Sequence, residues 1–112
     1  MESLKEKLLA LIKNNHEISF VEYRDFLIEN GIEYKGNNSI GSPKYENLIF
    51  WANISNEALD IIEELFNEKK INFVKTGAFI YYIDGEILNL PIAKQRRSYK
   101  NPRWKPVMIE LS

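Results

Sequence analysis

The sequence predicts an α+β domain with about three helices and a small, mostly antiparallel sheet. Three observations carry that expectation. Helix start signals precede three amphipathic stripes, and apolar runs of strand length separated by turn residues fill the second half. The order is helix, helix, loop, strand, helix, then a meander, rather than a regular alternation of strand and helix. A chain of 112 residues is one ordinary domain, 1–112, able to bury roughly two-thirds of the surface its unfolded form exposes.

Ser3 caps a first helix over 3–14, whose Leu4, Leu8, Leu11 and Ile12 share one stripe. Ser19-Phe20-Val21-Glu22 is a capping box, and Ile18 with Tyr23 makes the hydrophobic staple that fixes the entry angle of a second helix. Phe20, Tyr23, Phe26 and Leu27 form its inward stripe, and Asn30-Gly31 supplies the left-handed stop. Residues 33–46 lack periodicity and are rich in Gly, Asn and Ser, which predicts the main loop, a mobile one. Leu48–Ala52 has strand length. Ser55 then caps a third helix over 56–69, with an Ile54/Leu59 staple and Ala58, Leu59, Ile62, Leu65 and Phe66 facing inward. Beyond it, Ile71–Lys75 and Ala78–Ile83 read as strands joined across Thr76-Gly77. Asp84-Gly85 reads as a two-residue hairpin turn into Glu86–Leu90, which Pro91 confines to an edge, and Val107–Leu111 returns to the sheet.

Charge is strongly segregated along this framework. Residues 1–93 hold 9 Lys/Arg against 15 Asp/Glu, residues 94–105 hold six basic side chains and no acid, and Glu110 brings the total to −1. The basic run reads Lys-Gln-Arg-Arg-Ser-Tyr-Lys-Asn-Pro-Arg-Trp-Lys. Cations neutralise phosphates and interleaved aromatics stack on bases, so the expected nucleic-acid-binding residues are Lys94, Arg96, Arg97, Tyr99, Lys100, Arg103, Trp104 and Lys105. An alternative makes the run a solvated connection that complements the acidic helices, with Trp104 buried as an anchor between Pro102 and Pro106.

Other chemistry finds little support. The chain has no cysteine, which excludes disulfides and thiolate metal sites and fits a reducing compartment, with the cytosol as the expected location. No apolar run approaches the ~20 residues of a membrane span, and the acidic N-terminus lacks the basic start of a signal peptide, so a soluble, unprocessed protein without membrane partners is expected. His16 is the only histidine, and it sits beside Glu17 in a helix connection. Asp84 and Glu86 flank a turn glycine, and Glu68-Lys69-Lys70 closes a helix without a partner acid. No phosphate-cradling glycine loop or nucleophile elbow is present. The expectation is a non-enzymatic protein without metal or cofactor.

Three resemblances add to this reading. The stretch from Ser55 to Ile83, a capped helix followed by Ile71-Asn72-Phe73-Val74 and Phe79-Ile80-Tyr81-Tyr82, resembles the last helix and β-wing of winged-helix domains, which implies a winged-helix-like fold and DNA binding. The helix departs from that role. Glu57, Asp60, Glu63, Glu64 and Glu68 outnumber Lys69 and Lys70, and such a helix is repelled by two rows of phosphates, so contact falls to the basic run or the wing. Ile49-Phe50-Trp51-Ala52-Asn53-Ile54 and Lys75–Tyr82 are similar to the two signatures of RNA recognition motifs. Thr76 and Gly77 break the second signature, and two helices precede the first strand, so Phe50, Trp51, Phe79 and Tyr81 are expected as core or sheet-face aromatics. Asp84-Gly85, Leu90-Pro91 and Tyr99-Lys100-x-Pro102-x-Trp104-x-Pro106-Val107 resemble the C-terminal part of small uncharacterised phage and mobile-island proteins of AT-rich bacteria, which implies a regulatory or host-directed role.

Two functions follow as expectations. The leading one is a regulatory nucleic-acid-binding protein acting through the basic aromatic arm. Its competitor is a protein-interaction module, an inhibitor or adaptor, whose acidic faces (Glu22, Asp25, Glu29; Asp60, Glu63, Glu64, Glu68) approach a basic protein partner.

Overall fold

Capping decides where the first three helices begin. The computed structural model describes residues 3–95 and 97–112. Ser3 accepts from the Glu6 N–H to open α1 (Leu4–Asn15), and a two-residue strand, β1 (Glu17–Ile18), follows. Ser19 and Glu22 form the reciprocal capping box at the start of α2 (Phe20–Glu29), satisfying two amides that a helix start leaves unpaired. The stop is also as expected: Gly31 adopts φ 74° and the Ile32 N–H returns to the Leu27 carbonyl at 2.9 Å.

The segment 33–46 departs from expectation. Much of it is strand β2 (Lys35–Gly41), antiparallel to β3 (Leu48–Ile54) with shifts of register, rather than a mobile loop. Its glycines let the two backbones touch. A Cβ on Gly36 would lie 2.5 Å from the Ile54 carbonyl oxygen, and one on Gly41 would lie 2.5 Å from that of Leu48. Asn38 reinforces the pairing by donating from Nδ2 to the Ile54 carbonyl and the Asn56 Oδ1. Only Ile40 of this strand is buried, so no apolar alternation announces it.

Ser55 accepts from the Ala58 N–H to open α3 (Asn56–Asn67), and β4 (Ile71–Lys75) follows it. The next segment overturns two expected strands. Residues 78–83 belong to helix α4 (Ala78–Asp84), and 86–90 form no strand. Gly85, at φ 87°, is the left-handed helix stop that the Asp-Gly pair had suggested as a hairpin turn; both uses exploit the same freedom of glycine. Propensity favours a strand here, but one tertiary anchor favours the helix. Tyr81 is fully buried while Phe79, Tyr82 and Ile83 are 70%, 63% and 66% exposed. Its hydroxyl accepts from the Phe20 N–H at 3.1 Å and donates to the Val107 carbonyl at 2.6 Å. Phe79 is therefore solvent-facing and not a core aromatic.

A two-residue strand β5 (Arg103–Trp104) and β6 (Val107–Leu111) complete the chain. The strands form two three-stranded sheets instead of one. The first has order β1-β6-β4 and is antiparallel throughout; the second has order β2-β3-β5, in which β5 runs parallel to β3. Among the described residues the architecture is thus α+β with four helices and two small sheets.

A shared aromatic core joins the sheets. Trp51, 2% exposed, stacks near Phe20 at 6.0 Å and Tyr81 at 5.0 Å, and its Nε1–H donates to the Tyr34 hydroxyl. Among the described residues, no helix is long and apolar enough to cross a membrane.

Candidate nucleic-acid interface

The basic run is a closed loop with its ends clasped. At its base, the Trp104 N–H donates to the Pro91 carbonyl and the Ala93 N–H to the Trp104 carbonyl, both at 2.8 Å. On the other side, β5 lies against β3, with Arg103 and Lys105 N–H groups donating to Asn47 and Ile49 carbonyls at 2.8 Å. The described residues between 94 and 102 leave and rejoin this clasp in the manner of an Ω-type loop. They fold onto the 46–47 turn: the Ser98 hydroxyl accepts from the Glu46 N–H at 3.0 Å, and the Tyr99 N–H donates to the Glu46 carbonyl at 3.0 Å. Asn47, at φ 59°, donates from Nδ2 to the carbonyls of Tyr99 at 2.9 Å and Lys100 at 3.1 Å.

These contacts engage backbone and leave charge outward. Lys94, Arg97 and Lys100 are exposed and Arg103 half-buried. Arg97 and Arg103 stand over the Tyr99 ring, their guanidinium carbons 4.9 and 5.2 Å from its centroid. The Gln95 backbone hydrogen bond, followed by the Arg97 and Arg103 cations, lowers the Tyr99 phenol pKa below its ordinary value. Arg96 lies outside the described residues.

Two expected contact residues are displaced from this surface. Trp104 is 1% exposed, with its indole N–H donating to the Phe50 carbonyl at 3.1 Å and its ring edge-on to Tyr81 at 5.3 Å, so it cannot stack on a base. Lys105 is 6% exposed, because the β5 clasp draws it into the fold. The buried-anchor expectation for Trp104 describes this residue correctly. Among the described residues the visible ion pairs join Lys5 to Glu64 and Glu68, and Arg24 to Asp25 and Glu86; none reaches Lys94, Arg97, Lys100 or Arg103.

Beside the loop lies a cleft that sequence reading missed. Its volume is about 460 Å³, and its lining includes Lys44, Tyr45, Phe50, Phe66, Phe73 and Lys75. The three phenylalanines form a row: Phe73 lies 5.3 Å from Phe50 and 5.3 Å from Phe66 between ring centroids. A smaller hollow of about 280 Å³ shares Pro43, Phe66 and Phe73 with it. The segment 42–48 belongs to both features, since Lys44 and Tyr45 line the cleft while Glu46 and Asn47 hold the loop. The available signal was Pro43-Lys44-Tyr45, a basic aromatic step inside a stretch dismissed as loop.

The candidates for catalysis remain scattered. His16 closes α1 at φ 67° and is exposed, and Glu86 pairs with Arg24. Among the described residues, no three His, Cys, Asp or Glu side chains gather into a metal-binding group. No protein-family model, curated protein or solved structure matches this chain.

Proposed function

We propose that this protein binds nucleic acid without catalysis, through the cationic loop 94–103, in a winged-helix-like fold. The observation that carries the reading is the disposition of charge. Backbone hydrogen bonds to Glu46 and Asn47 tie the loop down, yet Lys94, Arg97 and Lys100 stay exposed and outside the visible ion pairs. A surface that presents fixed, uncompensated cations suits a polyanion, whose bound counterions are released on contact. The helix-strand-strand order α3, β4, β6, with β1 added beside β6, supports the winged-helix-like reading. In that reading the long β4–β6 connection stands in the place of a wing and carries α4 and the loop. Acidic α3 leaves that connection as the contact element.

Gel mobility shift with random-sequence duplex DNA, single-stranded DNA and RNA at low and moderate salt tests the proposal. Salt-sensitive binding that weakens when Arg97, Lys100 and Arg103 are replaced by Gln is expected. Absence of binding at low salt, or binding indifferent to these replacements, overturns it.

One observation favours a second reading, a protein-interaction module. The α4 face formed by Phe79, Tyr82 and Ile83 is exposed, and Asp60, Glu63 and Glu64 on α3 are exposed as well. Pull-down from nuclease-treated lysate separates the two. A stoichiometric basic protein surviving the treatment supports the module; loss of every partner supports nucleic acid.

A further inference from the structure

We infer that the aromatic cleft beside the loop receives bases, and hence that the ligand class is single-stranded nucleic acid rather than duplex. The inference rests on the reading of the loop as a phosphate-binding element. It adds a second component to the site, one that recognises the flat, apolar part of a nucleotide.

Size and lining come first. A volume of about 460 Å³ lies within the range of roughly 300–1,000 Å³ usual for small-ligand pockets. The half-buried row of Phe50, Phe73 and Phe66 provides an aromatic wall, and aromatic faces stack on any base because every base has a π face. Cations stand on the same lining. Lys44 and Lys75 are exposed, and Lys44 Nζ lies 5.2 Å from the Tyr45 ring centroid. An aromatic wall with lysines beside it matches a ring that carries a phosphate. The lining also holds Asn72 and Glu110, opposite each other in the β4–β6 register. An amide and a carboxylate there provide acceptors for exocyclic amines and a donor for carbonyls.

Continuity is the second line. The chain passes from Lys44 and Tyr45 in the cleft directly to Glu46 and Asn47, which grip Tyr99 and Lys100. A strand whose phosphates follow the loop therefore reaches the cleft over the same short segment. Duplex bases are stacked and paired, so they cannot enter. Reading them in place requires an element in the major groove, and α3, with its excess of carboxylates, is repelled there.

Fluorescence anisotropy on the full chain tests the inference, using labelled oligo-dT and a labelled duplex of equal length. The variants are Tyr45→Ala and Lys75→Gln, two positions outside the hydrophobic core cluster, with thermal melts confirming their fold. Each variant is expected to weaken oligo-dT binding about tenfold while leaving duplex binding unchanged. Photocrosslinking with bromodeoxyuridine strands is expected to label Tyr45, Phe50, Phe66 or Phe73. Equal affinity for both probes, unaltered by either variant and with crosslinks confined to 94–103, overturns the cleft assignment but leaves the loop reading intact. Failure of both probes to bind removes both. Binding of an acidic, aromatic-containing peptide that Lys75→Gln abolishes, while oligo-dT binding persists, overturns the inference in favour of a protein segment.

Discussion

Replacing Tyr81 by Phe removes one oxygen atom from the point where α2, α4 and β6 meet. That hydroxyl is wholly buried, accepts from the Phe20 N–H and donates to the Val107 carbonyl. The Phe20 amide belongs to the first turn of α2, where no intrahelical partner exists. The variant keeps the ring and its contacts with Trp51 and Trp104, so packing loss is small. What remains is one donor and one acceptor deprived of this partner, at about 1–3 kcal/mol each. The expected loss is about 2–6 kcal/mol, a large part of the roughly 5–15 kcal/mol typical of a folded domain. Urea unfolding followed by tryptophan fluorescence measures it as a lowered midpoint with unchanged slope. Phe79→Ser is the matched control. On a strand, residues 79, 81 and 83 would share a face and Phe79 would be as costly as Tyr81; on α4, 70% exposed, its replacement should fall within about 0.5 kcal/mol of neutral. A Tyr81→Phe loss below about 0.5 kcal/mol, or a Phe79→Ser loss matching it, would refute the anchoring argument.

Ser19→Ala deletes the acceptor for the Glu22 N–H and should cost about 1 kcal/mol in the same urea assay; an unchanged midpoint would show the capping box to be idle. Burial raises the Tyr23 and Tyr34 phenol pKa values above their ordinary 10.0, so the folded chain retains protons that the unfolded chain releases. Stability from these groups is full below pH ~10 and falls above it, by up to about 2.7 kcal/mol per pH unit for the two together; flat urea midpoints through that range would count against it. For binding, the four described loop cations, Lys94, Arg97, Lys100 and Arg103, contribute about −2.8 to the slope of log affinity against log salt for a single strand, at about −0.7 per phosphate. Arg97→Gln with Lys100→Gln should make the slope less steep by about 1.4 in an anisotropy titration, and an unchanged slope would place the phosphate contacts elsewhere.

Capped helices are legible because their determinants lie within four residues. Ser19 and Glu22 specify the start of α2 whatever the rest of the chain does. Helix α4 is not legible, because seven mostly apolar residues carry no decisive period and its anchor, the fully buried Tyr81, has partners at residues 20 and 107. Strand β2 hides for the opposite reason. Its residues have almost no apolar face, and its pairing depends on the close backbone approach that Gly36 and Gly41 permit. At the candidate site, composition located the basic run, whereas burial of Trp104 and Lys105 depends on β5 finding β3 across the fold. The cleft escaped notice because its walls come mainly from β3, α3, β4, β6 and the 42–45 turn, each unremarkable alone.

The way the loop is fastened bears directly on what its charges can do. Fastening by ion pairs to the acidic helices would require any polyanion to break those pairs before binding, with the attraction largely spent inside the protein. Here the fastening uses neutral hydrogen bonds from Glu46, Asn47 and Ser98, while Arg97 and Arg103 rest on the Tyr99 ring, whose face attracts cations without cancelling their charge. The acidic residues of α3 are meanwhile balanced in part by Lys5, drawn from α1 rather than from the loop. Among the described residues, the ion pairs made by Glu64, Glu68, Asp25 and Glu86 thus leave out Lys94, Arg97, Lys100 and Arg103. In the proposed reading the loop attracts a polyanion and α3 repels it, which orients the ligand. The cleft adjoins the loop through the 42–48 segment, so under the same proposal a strand whose phosphates follow the loop meets the cleft's aromatic wall next.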